Sequence, residues 1–78
     1  MRILFFAHLR EISGTESAEI DGDRLDGARL WELLEHRWPG LASYRSDTRL
    51  ARNGSYVAAG EVFGRDDEVA LIPPVSGG

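Results

Sequence analysis

The chain opens on an alternating stretch. From Met1 to Ala7, the residues Ile3, Phe5 and Ala7 fall on one side and Arg2, Leu4 and Phe6 on the other, the two-residue period of a strand. Arg2 marks the second side as the more exposed. Arg10 to Ser17, with Gly14 inside it, reads as a turn or short irregular connection. Ser17 to Ile20 is a short second strand, paired antiparallel to the first in the simplest arrangement, and Asp21-Gly22-Asp23 ends it with turn chemistry.

The period then changes. Asp26 has the form of a helix N-cap, and Leu30, Leu33, Leu34 and Trp38 follow at helical spacing as one apolar stripe, with Trp31 at its edge. Glu32, Glu35, His36 and Arg37 fall largely on the other side. Pro39-Gly40 stops the helix, because proline disfavours the helical conformation in the residue before it. Leu41 to Arg45 can add another helical turn. Asn53-Gly54, between Leu50-Ala51-Arg52 and Tyr56-Val57-Ala58, is a short hairpin signal. Glu61 to Phe63 is left unassigned, and Gly64 to Asp67 is another turn, with Asp66-Asp67-Glu68 as a solvated acidic run. Glu68 to Ile72 is the last strand, with Val69 and Leu71 on one side and Ala70 and Ile72 on the other. Pro73-Pro74, lacking N–H donors, ends its ladder. Strand, strand, helix and two or three further strands predict an α+β domain, one sheet with one main helix packed on one face.

Composition narrows what such a domain can do. At 78 residues there is room for one small core. No cysteine is present, so neither a disulfide nor thiolate chemistry by its own side chains is available. His8 and His36 stand far apart, which predicts no metal site; His8 reads as a surface residue at a strand end. The net charge of −4 argues against nucleic acid, and no apolar run approaches membrane-spanning length. No signal-peptide pattern opens the chain, so the expected compartment is the cytoplasm. All nine basic residues are arginines, so no lysine can accept an acyl group. Arg10 and Glu11 are open to pairing with each other or with a partner. No Ser-His-Asp set, carboxylate pair or phosphate loop stands out.

What remains is the tail, Pro73-Pro74-Val75-Ser76-Gly77-Gly78. The prolines hold the chain extended as it leaves the last strand. Gly77 and Gly78 carry no side chain, so they can thread a narrow channel and present an unhindered carboxylate for activation as an acyl-adenylate. A terminal glycine pair by itself also describes a frayed end. The stiff lead-in placed directly after a core strand separates the two readings. The expected organisation is a domain over residues 1–74 and an extended tail over 75–78.

Two segments carry a family resemblance. The opening, Ile3-Leu4-Phe5-Phe6-Ala7-His8-Leu9-Arg10-Glu11-Ile12-Ser13-Gly14, resembles the small subunits of molybdopterin synthase. So does the closing Asp67-Glu68-Val69-Ala70-Leu71-Ile72-Pro73-Pro74-Val75-Ser76-Gly77-Gly78, while the middle matches more loosely. The resemblance implies a β-grasp, ubiquitin-like fold with a mixed sheet. It implies that an E1-like enzyme adenylates Gly78 with ATP and that a persulfide donor supplies sulfur to make a thiocarboxylate. The tail then enters the large synthase subunit, in an expected heterotetramer, where the sulfur attacks cyclic pyranopterin monophosphate. The carrier itself would bind no cofactor and would not be catalytic alone. Gly77, Ser76, Val75, Pro74 and Pro73 would give Gly78 its access. If the first and last strands are neighbours, as in a β-grasp sheet, Leu4, Phe6, Ala70 and Ile72 form an apolar patch on the uncovered face, a partner-docking site. The alternatives are a ubiquitin-like protein modifier, a carrier for thiamine or another thiolation pathway, and a binding module with an idle tail.

Overall fold

The computed structural model describes residues 1–58 and 60–74. β1 (Arg2–Phe5) buries Ile3 and Phe5 and leaves Leu4 half-buried, as the alternation predicts. The strand stops at Phe5, short of Ala7. Ala7 takes a φ of 52° and turns the chain into α1 (His8–Ser13), a helix where the sequence predicts irregular chain from Arg10 onward. Leu9, wholly buried, and Ile12 face the core from it. Gly14, at φ 76°, caps it, its N–H donating to the Arg10 carbonyl at 2.9 Å. A helix of six residues is below the length that holds itself in water, so its tertiary contacts decide it.

β2 (Ser17–Glu19) runs antiparallel to β1, with Arg2 opposite Glu19 and Leu4 opposite Ser17. β3 (Leu25–Asp26) then pairs with β6 (Val62–Phe63) in a separate two-stranded ribbon. The ribbon gives the unassigned Glu61–Phe63 stretch its role: it sets Phe63 into the core.

α2 (Gly27–Arg37) starts where the sequence places it. Asp26 accepts the Arg29 N–H at 2.8 Å on its carboxylate. Leu30 and Leu34 are wholly buried, Leu33 and Trp38 pack against the core, and Trp31 is buried within it instead of sitting at its edge. The Trp38 ring meets Phe5 edge-on, centroids 5.0 Å apart. At Trp38 φ is −131°, the extended conformation that Pro39 imposes on its predecessor. A 3-10 helix (Pro39–Asp47) follows, longer than the single turn expected, and buries Leu41.

β4 (Arg49–Arg52) and β5 (Ser55–Tyr56) form the predicted hairpin, with positive φ at Asn53 (49°) and Gly54 (89°) as a tight primed turn requires. β7 (Glu68–Ile72) lies at the centre of the main sheet, order β2-β1-β7-β4-β5, parallel to β1 and antiparallel to β4. The sheet is therefore mixed. One face, with Ile3, Phe5, Val69, Leu71 and Leu50, packs with α2 into a single core.

Candidate functional site: the open sheet face and the base of the tail

The registers decide what stands on the other face. Leu4 lies beside Ala70 across β1 and β7, and Phe6 directly follows Phe5, the partner of Leu71, at the end of β1 where Ile72 closes β7. None of Leu4, Phe6, Ala70 and Ile72 belongs to the core cluster. Leu4, Ala70 and Ile72 are half-buried, and Phe6 is 42% exposed, a large apolar side chain held in solvent. The structure brings together the four residues that the alternation assigned to this face.

It also adds two. Ala51 pairs with Ala70 on one side and Tyr56 on the other, which sets Tyr56, 56% exposed, on the same face. Arg49 pairs with Ile72, and its guanidinium lies 4.1 Å above the Tyr56 ring. The hairpin was legible from Asn53-Gly54, but which face Tyr56 and Arg49 occupy depends on the β4–β7 register, which no local signal carries. At the β1–β2 side, a depression of about 240 Å³ is lined by Leu4, Phe6, Arg2, Arg10, Glu16 and Ser17.

Phe5, the last residue of β1, pairs with Leu71. Pro73 is buried and Pro74 exposed. Val75, Ser76, Gly77 and Gly78 lie outside the described residues. At its other end β7 is pinned. Asn53 donates its backbone N–H to the Glu68 carbonyl (2.8 Å) and accepts the Glu68 N–H on its side-chain oxygen (3.0 Å). Its side-chain amide donates to Asp67 at 3.2 Å. Asp67 also accepts the Gly64 N–H at 2.7 Å, and that backbone donor is the main cause holding its carboxyl below the ordinary value. The run Asp66-Asp67-Glu68 is thus a hydrogen-bonded turn, not merely a solvated one. The neighbouring loop is clamped likewise. Glu61 accepts the Ala58 N–H at 2.7 Å and the Arg52 guanidinium at 2.6 Å, and the first of these chiefly lowers its pKa.

No cluster of three or more metal-ligating side chains occurs among the described residues. No helix among them is long and apolar enough to cross a membrane. His8 is a correction: it opens α1, and its ring packs half-buried 4.7 Å from that of Tyr44 instead of lying on the surface. The site consists of a shaped apolar face and a strand aimed at the tail.

Residues 3–78 match the family described as the ThiS family. The chain belongs to the ThiS family. Within it, the chain is 38% identical over 82 residues to the human molybdopterin synthase sulfur carrier subunit, an alignment covering all of this chain and 93% of that one. Among solved structures, it is similar to the crystal structure of SAMP1 from Haloferax volcanii, with TM-score 0.84 and 33% identity, covering 100% of this chain and 98% of that one. A crystal structure of small archaeal modifier protein 1 from H. volcanii is also similar, with TM-score 0.83 and 30% identity over 96% of this chain and 97% of that one. These likenesses bear out the resemblance drawn from the two end segments and the β-grasp architecture expected from it.

Proposed function

We propose that this ThiS-family chain is the sulfur-carrier subunit of a molybdopterin synthase, with Gly78 as the point of sulfur attachment. The observation that carries the reading is the end-to-end likeness to the human sulfur carrier subunit. The chain has no cysteine, so the sulfur it delivers must be borrowed and held at the terminal carboxyl. In this reading an E1-like enzyme joins the Gly78 carboxylate to AMP, consuming ATP and releasing pyrophosphate. The outer sulfur of a persulfide donor displaces AMP to form an acyl disulfide, and a thiol of the donor system then cleaves its S–S bond, leaving the thiocarboxylate on Gly78 and a disulfide on the donor. The tail, Pro73 to Gly77, threads the carboxyl end into the large synthase subunit, and the sulfur attacks cyclic pyranopterin monophosphate. The carrier provides a consumable nucleophile, and its partner provides the pocket. Leu4, Phe6, Ala70 and Ile72 are the dock, since an exposed contiguous apolar patch on a small domain is stabilised by a partner. The setting is the cytoplasm.

Intact-mass spectrometry tests the reading. Coexpressed with its activating enzyme and a sulfur donor, the protein is expected to gain the mass of one oxygen exchanged for sulfur at Gly78. A chain that stays a free carboxylate under those conditions refutes it. A variant lacking Gly78 should take up no sulfur yet unfold at the same temperature.

The likeness to an archaeal modifier protein favours a second use of the same activated glycine, attachment to amines of other proteins. Higher-mass adducts of a tagged chain, dependent on Gly78, are its signature on a blot. Their absence from cells making the activating enzyme counts against it.

A further inference from the structure

The arginines divide by whether a carboxylate or a carbonyl oxygen engages the guanidinium. Arg29, Arg45, Arg52 and Arg65 form ion pairs with Glu32, Glu35, Glu61 and Asp23. Arg37 donates to the Glu19 carbonyl and lies 4.5 Å above the Trp38 ring. Among the described residues the other four, Arg2, Arg10, Arg24 and Arg49, enter no ion pair. Arg24 follows β2, at the end of the sheet away from the tail. Arg2 stands in register between Glu19 and Glu68, which balance it. Arg10 and Arg49 are different. Both are exposed and belong to the end where β7 runs into the tail: Arg49 pairs with Ile72, and Arg10 is on α1, which follows β1, the parallel neighbour of β7. Arg49 lies beside Ile72 on β4, while Arg10 shares the depression beyond β1 with Phe6 and Glu16, and Glu16 forms no ion pair with it.

A chain with 13 acidic residues and a net charge of −4 has ample carboxylate to pair every guanidinium. Two that stay unpaired beside Phe6 and Ile72 give this end of the face a local positive sign against the acidic whole. Charged rims around an apolar patch act mainly on orientation and on the rate of encounter. Steering of this kind selects a partner of opposite sign. A nucleic acid is a poor fit, because the two charges are separated by apolar side chains and the net charge repels it.

We propose that Arg10 and Arg49 form a positive rim to the docking face and recognise carboxylates on the partner protein, placed on either side of the opening that receives the tail. The inference rests on the reading of the face as a dock for the tail-accepting subunit. It adds what that subunit must present: an apolar patch for Phe6 and Ile72, bordered by acidic side chains. The rim would fix which way the tail points, since at the opposite end of the same face Arg2 is balanced by Glu19 and Glu68 and offers no comparable positive border.

Association with the cognate large subunit, followed by surface plasmon resonance at low and high salt, tests this. The variants are Arg10→Glu, Arg49→Glu, the double reversal, Arg24→Glu and Phe6→Ala, each checked for folding by circular dichroism. The double reversal is expected to slow association about tenfold at low salt, with the difference closing at high salt as the charges are screened. Arg24→Glu should bind like the parent. Phe6→Ala should speed dissociation at both salts. If Phe6→Ala weakens binding and the double reversal changes nothing at either salt, the rim is wrong and the dock stands. If none of the variants matters, the dock is wrong as well. Relief of the arginine effect by inorganic phosphate at constant ionic strength would assign these residues to a phosphate and overturn the carboxylate proposal.

Discussion

Asn53 does three things at one position. It takes a φ of 49°, which asparagine tolerates better than most side chains, and so allows the β4–β5 turn. Its backbone and side chain together hold the start of β7 through Glu68 and Asp67. Asn53→Ala should therefore cost about 1–2 kcal/mol in urea unfolding, from lost hydrogen bonds and an unfavourable φ. Asn53→Gly keeps the turn and loses only the side-chain bonds, so it should fall between the parent and the alanine variant. Equal losses in the two would show that the turn conformation contributes nothing. The sequence identified Asn53-Gly54 as a turn because that information is local. It gave no hint that the side chain reaches residues 14 and 15 positions away. The same distinction separates Phe6, whose outward direction follows from alternation, from Tyr56 and Arg49, whose face depends on a register between strands distant in sequence.

Among the elements, α2 was readable and α1 was not. α2 announces itself through a cap, a stripe and a stop: Asp26, Leu30 with Leu34, and Pro39. Asp26→Ala should cost about 1 kcal/mol, which lowers the melting temperature by roughly 4–8 °C in a domain of this size. No change in a thermal scan would mean that the 2.8 Å bond to Arg29 adds nothing over water. α1 spans six residues, too few to show a periodic stripe, and the packing of Leu9 and Ile12 on the core, with the Gly14 cap, holds it helical. The β3–β6 ribbon was equally hidden. Two residues per strand carry no alternation, and their pairing joins Leu25 to Phe63, far apart in the sequence.

At the scale of the whole molecule, three carboxylates have lowered pKa values in the fold: Asp23, chiefly through the Arg65 N–H, Glu61 through the Ala58 N–H, and Asp67 through the Gly64 N–H. A lowered value in the folded chain means that the ionised form favours folding. Their contribution is present above the ordinary values of 4.5 for Glu61 and 3.8 for Asp23 and Asp67, and is lost as pH falls below them. The urea midpoint should thus be level near neutrality and decline below about pH 4.5, with Asp67→Asn showing a shallower decline. A midpoint that rises on acidification would contradict this sign. The sequence alone determined α2 and the strands that open and close the chain, the core set Ile3, Phe5, Leu30, Leu34, Val69 and Leu71, and a tail that follows a proline pair and ends in two glycines. Each follows from a local period or from residue chemistry that needs no partner. The tertiary structure alone decided that β7 lies centrally between β1 and β4, and hence that residues from three separated strands form one apolar face. It also decided that Arg10 and Arg49 stay unpaired beside that face. Sheet order, register and ion pairing depend on contacts between residues far apart in the chain, and those are settled only when the whole core closes.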